Sequence, residues 1–346
     1  MLAAMDVVGN PSSVHAEGRA AKILVEKARA QVAELVGCLP TQVIFTSSAT
    51  EAAALAVAQK ARHGGVFAGL PTEHDCLEVW GDAIVPSCFD RDGTFDAGSM
   101  TLETPALIAL SAANSETGVM PPERSLQQTA QGKHAIVCDI TQLAGKLPIQ
   151  YAGAKPAYAI LSAHKFGGPN GVGAFINYTR DDPQAILRGG GQEMGRRSGT
   201  ENIIGIAGFG AAAEAAAQDV TSGQWNRVAE LRDILETALE TSTKKTIFVG
   251  KAAPRLPNTS CIIAQGWKGE TQVMQMDLSG FAISAGSACS SGKVKASKVL
   301  QAMGFDDDQA GCAIRVSLGL ETTEDEVLRF ADTWLAKRDK HAQRAA

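Results

Sequence analysis

Apolar side chains recur three and four positions apart through residues 15–37 and stop at Gly37, which predicts a helix over that span. A β-rich run at 43–46 then leads into Ser47-Ser48-Ala49-Thr50-Glu51, a polar start to an Ala-rich helix. Strand-like runs follow at 65–68, 107–110, 135–139, 158–162 and 172–177. Runs that are apolar at nearly every position suit strands buried on both faces. Their alternation with helical segments predicts an α/β fold with a mainly parallel sheet covered by helices. From 202 to about 241 the pattern is helical, interrupted near Thr221-Ser222-Gly223. Shorter strand-like pieces come next, at 246–249, 260–264, 282–284 and 313–318. A last amphipathic helix begins near Thr323, with Glu326 completing a capping box. The expected organisation is a large domain over 12–220 and a smaller α+β C-terminal domain over 221–346, with residues 1–11 joining the smaller one.

Composition narrows the class. The chain has 346 residues, 45% hydrophobic and 20% charged, as in an ordinary globular protein. Its 35 glycines and low aromatic content (5%) fit tight turns between Ala-rich helices. A net charge of -5 argues against nucleic acid as a partner, because phosphate backbones select basic surfaces. No apolar stretch is long enough to span a bilayer, and the first residues do not read as a signal peptide. The seven cysteines form no C-x-x-C pair. They suit free thiols in a reducing cytoplasm better than a disulfide framework or a zinc site.

Candidate chemistry sits at the ends of the apolar runs. In Ser162-Ala163-His164-Lys165-Phe166-Gly167-Gly168-Pro169 a lysine follows a strand and precedes glycines. In parallel sheets ligands bind at that edge, so Lys165 could form a Schiff base while Ser162 and His164 hold a phosphate. A single turn lysine is otherwise an ordinary solvated residue. Asp139 ends another buried run, with Gln142 three residues on. A pyridoxal 5'-phosphate (PLP) ring needs an anion at its pyridine nitrogen to remain an electron sink, and Asp139 suits that task. Gln142 could donate to the ring's phenolic oxygen. A strand-end aspartate alone is as readily a helix cap or a metal ligand. Ser48-Ala49-Thr50-Glu51 opens a helix whose free N–H groups favour a phosphate, though a plain capping box looks the same. His74 follows a strand-like run and is positioned to stack on a flat ring. Cys289 differs from the other cysteines in being surrounded by Gly, Ser and Ala, which suits a thiolate that travels between sites. Arg315, on a strand, could hold a carboxylate bidentately or serve in a structural ion pair.

Taken in order, these segments resemble the cysteine desulfurases of the NifS/IscS type, within the class V aminotransferase family of fold-type I PLP enzymes. The resemblance runs through most of the chain. It rests on Asn10-Pro11-Ser12-Ser13-Val14-His15, Thr46-Ser47-Ser48-Ala49-Thr50-Glu51-Ala52, Glu73-His74, Glu116-Thr117-Gly118 and Asp139-Ile140-Thr141-Gln142. It continues through Gly145-Lys146, the Ser162–Pro169 block, Gly189-Gly190-Gly191-Gln192-Glu193 and Arg197-Ser198-Gly199-Thr200-Glu201-Asn202. Arg255-Leu256-Pro257-Asn258-Thr259, Gly286-Ser287-Ala288-Cys289 and Arg315-Val316-Ser317-Leu318-Gly319 complete it.

The resemblance implies conversion of L-cysteine to L-alanine, with the sulfur left as a persulfide on a loop cysteine. Lys165 would be the Schiff-base lysine, Cys289 the persulfide carrier, and His74 the ring-stacking, proton-moving residue. Asp139 and Gln142 would bind the ring. Ala49, Thr50, Ser162 and His164 would bind the phosphate, with Thr200 reaching it from the second subunit of a homodimer. Arg315 would hold the substrate carboxylate. The segment after Cys289 is long, as in the class with a mobile cysteine loop. A sulfur-acceptor or scaffold protein in iron–sulfur assembly or related trafficking would be the partner, and Cys289 itself a transient iron–sulfur ligand.

Two departures from the family pattern stand out. The family's extended Leu-Asp-Asn-Asn-Ala-Thr-Thr segment is expected ahead of the first residue, so the recorded start is downstream of the true one or the substrate site lacks that wall. The family's Asn-Asn-Glu-x-Gly reads Asn114-Ser115-Glu116-Thr117-Gly118, which leaves Asn114 or Ser115 to take the cofactor-contacting position. The alternatives are a catalytically impaired paralogue and a selenocysteine lyase-like PLP enzyme; a need for Cys289 separates the persulfide route from the latter.

Overall fold

The computed structural model describes residues 1–85, 88–100, 102–122, 125, 129, 133–151, 155–241, 246–286 and 296–345. The described chain forms two compact units. One comprises Met1–Pro86, Ala97–Ala112 and Glu123–Ser222; the other comprises Ser87–Asp96, Ala113–Pro122 and Gly223–Ala346. Residues 1–11, expected with the smaller domain, belong to the first unit, and two loop segments from the N-terminal half belong to the second.

The first unit is built on a sheet of β1 (Val43–Thr46), β2 (Val66–Gly69), β3 (Ala83–Ile84), β4 (Ala106–Ser111), β5 (Ala135–Asp139), β6 (Tyr158–Ser162) and β7 (Gly173–Asn177). Their order across the sheet is β1-β7-β6-β5-β4-β2-β3. β6, β5, β4, β2 and β3 pair in parallel, while β7 runs antiparallel to both β1 and β6. The central strands are buried along their lengths, as their continuous apolar runs require. Helix α1 (Ala16–Val36) begins at His15, whose ring accepts from Gly18 N–H, and ends at Gly37 in the left-handed region. Helix α2 (Ala49–Val57) follows β1, α3 (Asp75–Glu78) follows β2, and α4 (Ile203–Thr221) packs on α1. That contact is close: a Cβ on Gly210 would lie 2.5 Å from the Ala28 Cα.

The second unit carries an antiparallel sheet of β8 (Thr246–Phe248), β9 (Thr259–Ala264), β10 (Ser284–Ala285) and β11 (Ala313–Ser317), in the order β10-β11-β9-β8. Helices α5 (Gln224–Thr241), α6 (Gly269–Asp277) and α8 (Glu324–Ala345) enclose one core with Trp267, Ile314, Phe330 and Trp334. A second core, around Cys261, Ile263, Leu300 and Phe305, involves the short helix α7 (Lys298–Ala302). The break between α4 and α5 falls at Ser222 and Gly223, the latter at φ +73°. The capping box at the start of α8 is formed, with Glu326 N–H donating to Thr323 Oγ1 and Thr323 N–H to Glu326 Oε2. Residues 113–122 are stitched to this unit by Leu256 N–H to Gly118 O and Met120 N–H to Pro254 O. Among the described residues no helix is long and apolar enough to cross a membrane.

Candidate active site

In the first unit the parallel register brings three strand ends to one sheet edge. Ser111 of β4 pairs with Asp139 of β5, and Asp139 with Ile160 of β6, two residues before Ser162. Beyond β6 a short 3-10 turn carries Ala163, His164 and Lys165. The turn closes through Phe166 N–H and Gly168 N–H, both donating to Ala163 O. Gly168 has to be glycine for this closure, since a Cβ there would lie 2.7 Å from that of Ala163. Lys165 and His164 are exposed, whereas Ser162 is buried.

Asp139 is buried, and its Oδ1 accepts the Thr141 N–H at 2.8 Å. Burial pushes its carboxyl upward; the Thr141 hydrogen bond and the charges of His74 and Lys165 pull the other way. These three predicted residues are therefore close enough to influence one another. His74 is the N-cap of α3, and its Nδ1 accepts from Cys76 N–H at 3.1 Å. Whenever the ring is neutral, its proton therefore sits on Nε2. Burial and the Lys165 charge depress the pKa of His164.

Glu73 was quoted in the sequence only as the neighbour of His74, yet it is a second buried carboxyl in this cluster. It accepts from Ser111 N–H at 2.9 Å and from Ser111 Oγ at 2.5 Å. Burial raises its pKa to about 7, against the pull of the Ser111 hydrogen bonds and with a further push from Asp139. Its signal lay in position: an acidic residue between an apolar strand and a buried helix start has no water to face.

The phosphate candidates converge at the start of α2. Ser162 Oγ accepts the Ala49 N–H at 2.8 Å, linking the end of β6 to that helix. Ser48 caps the helix by accepting from Glu51 N–H, and Thr50 N–H lies in the first turn without an intrahelical acceptor. Close packing of β7 below requires Gly173: a Cβ there would lie 2.6 Å from the Ser48 carbonyl carbon and 2.9 Å from Ala49 N. Glu51 pairs with Arg197 at 2.7 Å. Burial favours the neutral Glu51 carboxyl, but Arg197 and the Ser47 N–H outweigh it and hold the pKa below the ordinary range. The segment ending in Thr200 is shaped by Glu193, Met194 and Gly195, with φ of 48°, 59° and 80° in succession. Two non-glycine residues in the left-handed region are costly. Glu193 is held there by Arg29, with contacts of 2.7 and 2.8 Å, and by Phe45 N–H. Thr200 is exposed, and among the described residues no hydrogen bond joins it to the strand-edge cluster.

Asn114 and Arg315 lie in the second unit. Asn114 Oδ1 accepts from Glu116 N–H, Thr117 N–H and Thr117 Oγ1, so its side-chain carbonyl organises its own turn. Arg315 donates from Nη1 to Ser115 O at 2.6 Å and from Nη2 to Ser284 Oγ across the β10–β11 pair at 3.3 Å. Its Nε is buried and has no hydrogen-bond partner among the described residues. Cys289 lies outside the described residues, which resume at Ala296. Ser297 caps α7 and donates from Oγ to Glu116 Oε2. No cluster of His, Cys, Asp or Glu suited to a metal ion occurs among the described residues.

Comparison with known proteins identifies the family. The model of the class-V aminotransferases matches residues 3–330. A cysteine desulfurase of Enterobacter agglomerans is 38% identical, covering 93% of this chain and 84% of its own. Cysteine desulfurase IscS of an Anaeromyxobacter species is 37% identical over 92% of this chain and 83% of its own. The solved structure of a NifS-like protein from Rickettsia africae superposes with a TM-score of 0.86 at 26% identity, covering 99% of this chain and 94% of that one. With a strand-edge lysine, a buried carboxylate and a capped helix start in one parallel-sheet unit, the chain belongs to the class-V aminotransferase family, in the group of the cysteine desulfurases.

Proposed function

We propose that the protein is a PLP-dependent cysteine desulfurase that converts L-cysteine to L-alanine and carries the sulfur away on Cys289. The observation that supports this most is the strand edge, where buried Asp139 lies in register with Ser111 and with the end of β6 that leads into Lys165.

The donor set fits PLP group by group. An exposed primary amine, Lys165, would meet the aldehyde; buried Asp139 would meet the pyridine nitrogen; the start of α2 with Thr50, Ser162 and His164 would meet the phosphate. Gln142 would serve the phenolic oxygen, and Thr200 would add to the phosphate site across a homodimer. Bound there, the cofactor supplies an electron sink for the charge left when the substrate Cα–H is broken. Asp139 keeps the ring nitrogen protonated. With the cofactor bound, the Lys165 amine would be the base that takes the substrate Cα proton and returns one later. His74, whose Nδ1 accepts from Cys76 N–H, would cover the ring face and use Nε2 to hand on a proton. Arg315 would bind the substrate carboxylate through its guanidinium.

Sulfur transfer then needs a thiolate. Cys289 Sγ attacks the sulfur of L-cysteine; an S–S bond forms, the C–S bond breaks, and the electron pair stays with the carbon fragment, which is protonated to alanine. The protein is left with a persulfide for an acceptor protein. The test is alanine and sulfide production from L-cysteine in the presence of a thiol. Wild type should make both in equal amounts, Lys165→Ala should lose the visible cofactor band and all turnover, and Cys289→Ser should keep the band but release no sulfide. Sulfide release by Cys289→Ser at the wild-type rate would contradict the persulfide route.

A further inference from the structure

Gly145 and Lys146 adjoin the Asp139–Gln142 loop, yet the reading above gives them no task. Gly145 is buried at φ +74°, and a Cβ there would lie 2.8 Å from Phe166 Cβ and 2.9 Å from Ala216 Cβ. The backbone at 145 therefore presses against the residue that follows Lys165. Lys146 is buried at 6% exposure. Its Nζ donates to Gln142 O at 2.8 Å and, more weakly, to Lys165 O at 3.4 Å. One ammonium thus joins the carbonyls of two residues that belong to separate strand ends, β5 and β6. A buried ammonium is expensive to desolvate and stays charged where acceptors surround it, so two carbonyls fixed around it are held firmly.

We infer that Lys146 is a positioning residue for Lys165: its ammonium locks the Lys165 backbone to the Gln142 turn, and Gly145 provides the space that lets Phe166 dock. This rests on Lys165 being the cofactor lysine, and it assigns to a side chain outside the cofactor's contact set the task of aiming that lysine. The close approach at Gly145 and the hydrogen bonds at Lys146 are independent observations on neighbouring residues, and both converge on the 165–166 backbone.

Backbone hydrogen exchange in cofactor-free protein reads the lock directly. In Lys146→Gln, peptides covering 140–147 and 161–169 should exchange at least about fivefold faster, with peptides from α4 and from the second unit unchanged. Lys146→Arg, which keeps a cation with several donors, should restore most of the protection. Gly145→Ala should loosen the same peptides by the steric route. In cofactor-loaded protein, the visible circular dichroism per unit of visible absorbance should fall by at least about half in Lys146→Gln, because that ratio follows how rigidly the chromophore is held. Exchange at 161–169 unchanged in Lys146→Gln, or faster exchange spread evenly over the whole chain, overturns the proposal. Failure of wild type to take up PLP would instead count against the cofactor reading, while the exchange result still decides whether Lys146 holds the turn.

Discussion

At the residue scale, the behaviour of the strand-edge cluster depends on how many charges can be buried together. Asp139 and Glu73 both lie under cover, and each raises the cost of ionising the other. Glu73 has a folded-state pKa of about 7, above its unfolded value of 4.5. A carboxyl raised in this way holds a proton in the native state that the unfolded chain has released. Its contribution to stability is therefore full below about pH 4.5 and lost as pH rises through about 7. Chemical denaturation of cofactor-free protein between pH 5 and 8 should show wild type losing on the order of 2–3 kcal/mol relative to Glu73→Gln, which can keep both Ser111 contacts. A parallel pH dependence in the two proteins would count against a buried, titrating Glu73. Asp139 and Ser162 drew notice in the sequence because each closes an apolar run, and Lys165 and His74 because they follow one within a few residues; run ends in a parallel sheet share an edge. Glu73 was harder to read: its burial depends on Ser111, a strand end 38 residues later. The turn-forming use of the Asn114 carbonyl was also hidden, because nothing in a single sequence shows where a side chain bends back.

At the element scale, two close packings hold the cluster in place. β7 can lie beneath the start of α2 only because residue 173 lacks a Cβ. Gly173→Ala should destabilise the first unit by about 1–3 kcal/mol and weaken PLP retention as the helix start moves, measured by thermal unfolding and by equilibrium dialysis of the cofactor. The left-handed run at 193–195 is held by the buried Arg29–Glu193 pair, whose side chains are 5% and 2% exposed. Arg29→Met leaves the Glu193 carboxylate without its cation and should cost about 3–5 kcal/mol, read from denaturant midpoints; a loss below 1 kcal/mol would show that the run holds itself. The strands of this unit were read nearly to the residue, since strands covered on both faces are apolar throughout. Their directions were not equally visible: β7 is as apolar as its parallel neighbours but runs against them. The same limit applies to β3, two residues long, and to the short helix α6, which adjoin strongly patterned segments without a strong pattern of their own.

At the scale of the whole molecule, the second compact unit takes up the chain again at Gly223, where a long helical stretch breaks; the boundary expected from the sequence was between 220 and 221. Residues 1–11 were expected with the smaller domain and 87–96 and 113–122 with the larger one, whereas the compact units hold them the other way round, because loops carry no periodicity and pairings such as Val119 with Arg255 set their unit. Function was more legible than this division. Motifs that are weak singly occur in one order along the chain, and that order is more specific than any one of them. The account assigns Lys165 and Arg315 separate tasks, so Arg315→Lys should raise the KM for L-cysteine at least about tenfold, by losing bidentate recognition, while leaving the visible band of the cofactor intact. The central claim is that sulfur leaves L-cysteine for Cys289. Its most direct test is mass spectrometry of the intact, cofactor-loaded protein after a single turnover without added thiol. The account predicts a gain of one sulfur atom, mapped to the peptide containing Cys289 and absent from Cys289→Ser, with one alanine released per site. Alanine formed with no added sulfur on that peptide, or with the sulfur found on another cysteine, would contradict it.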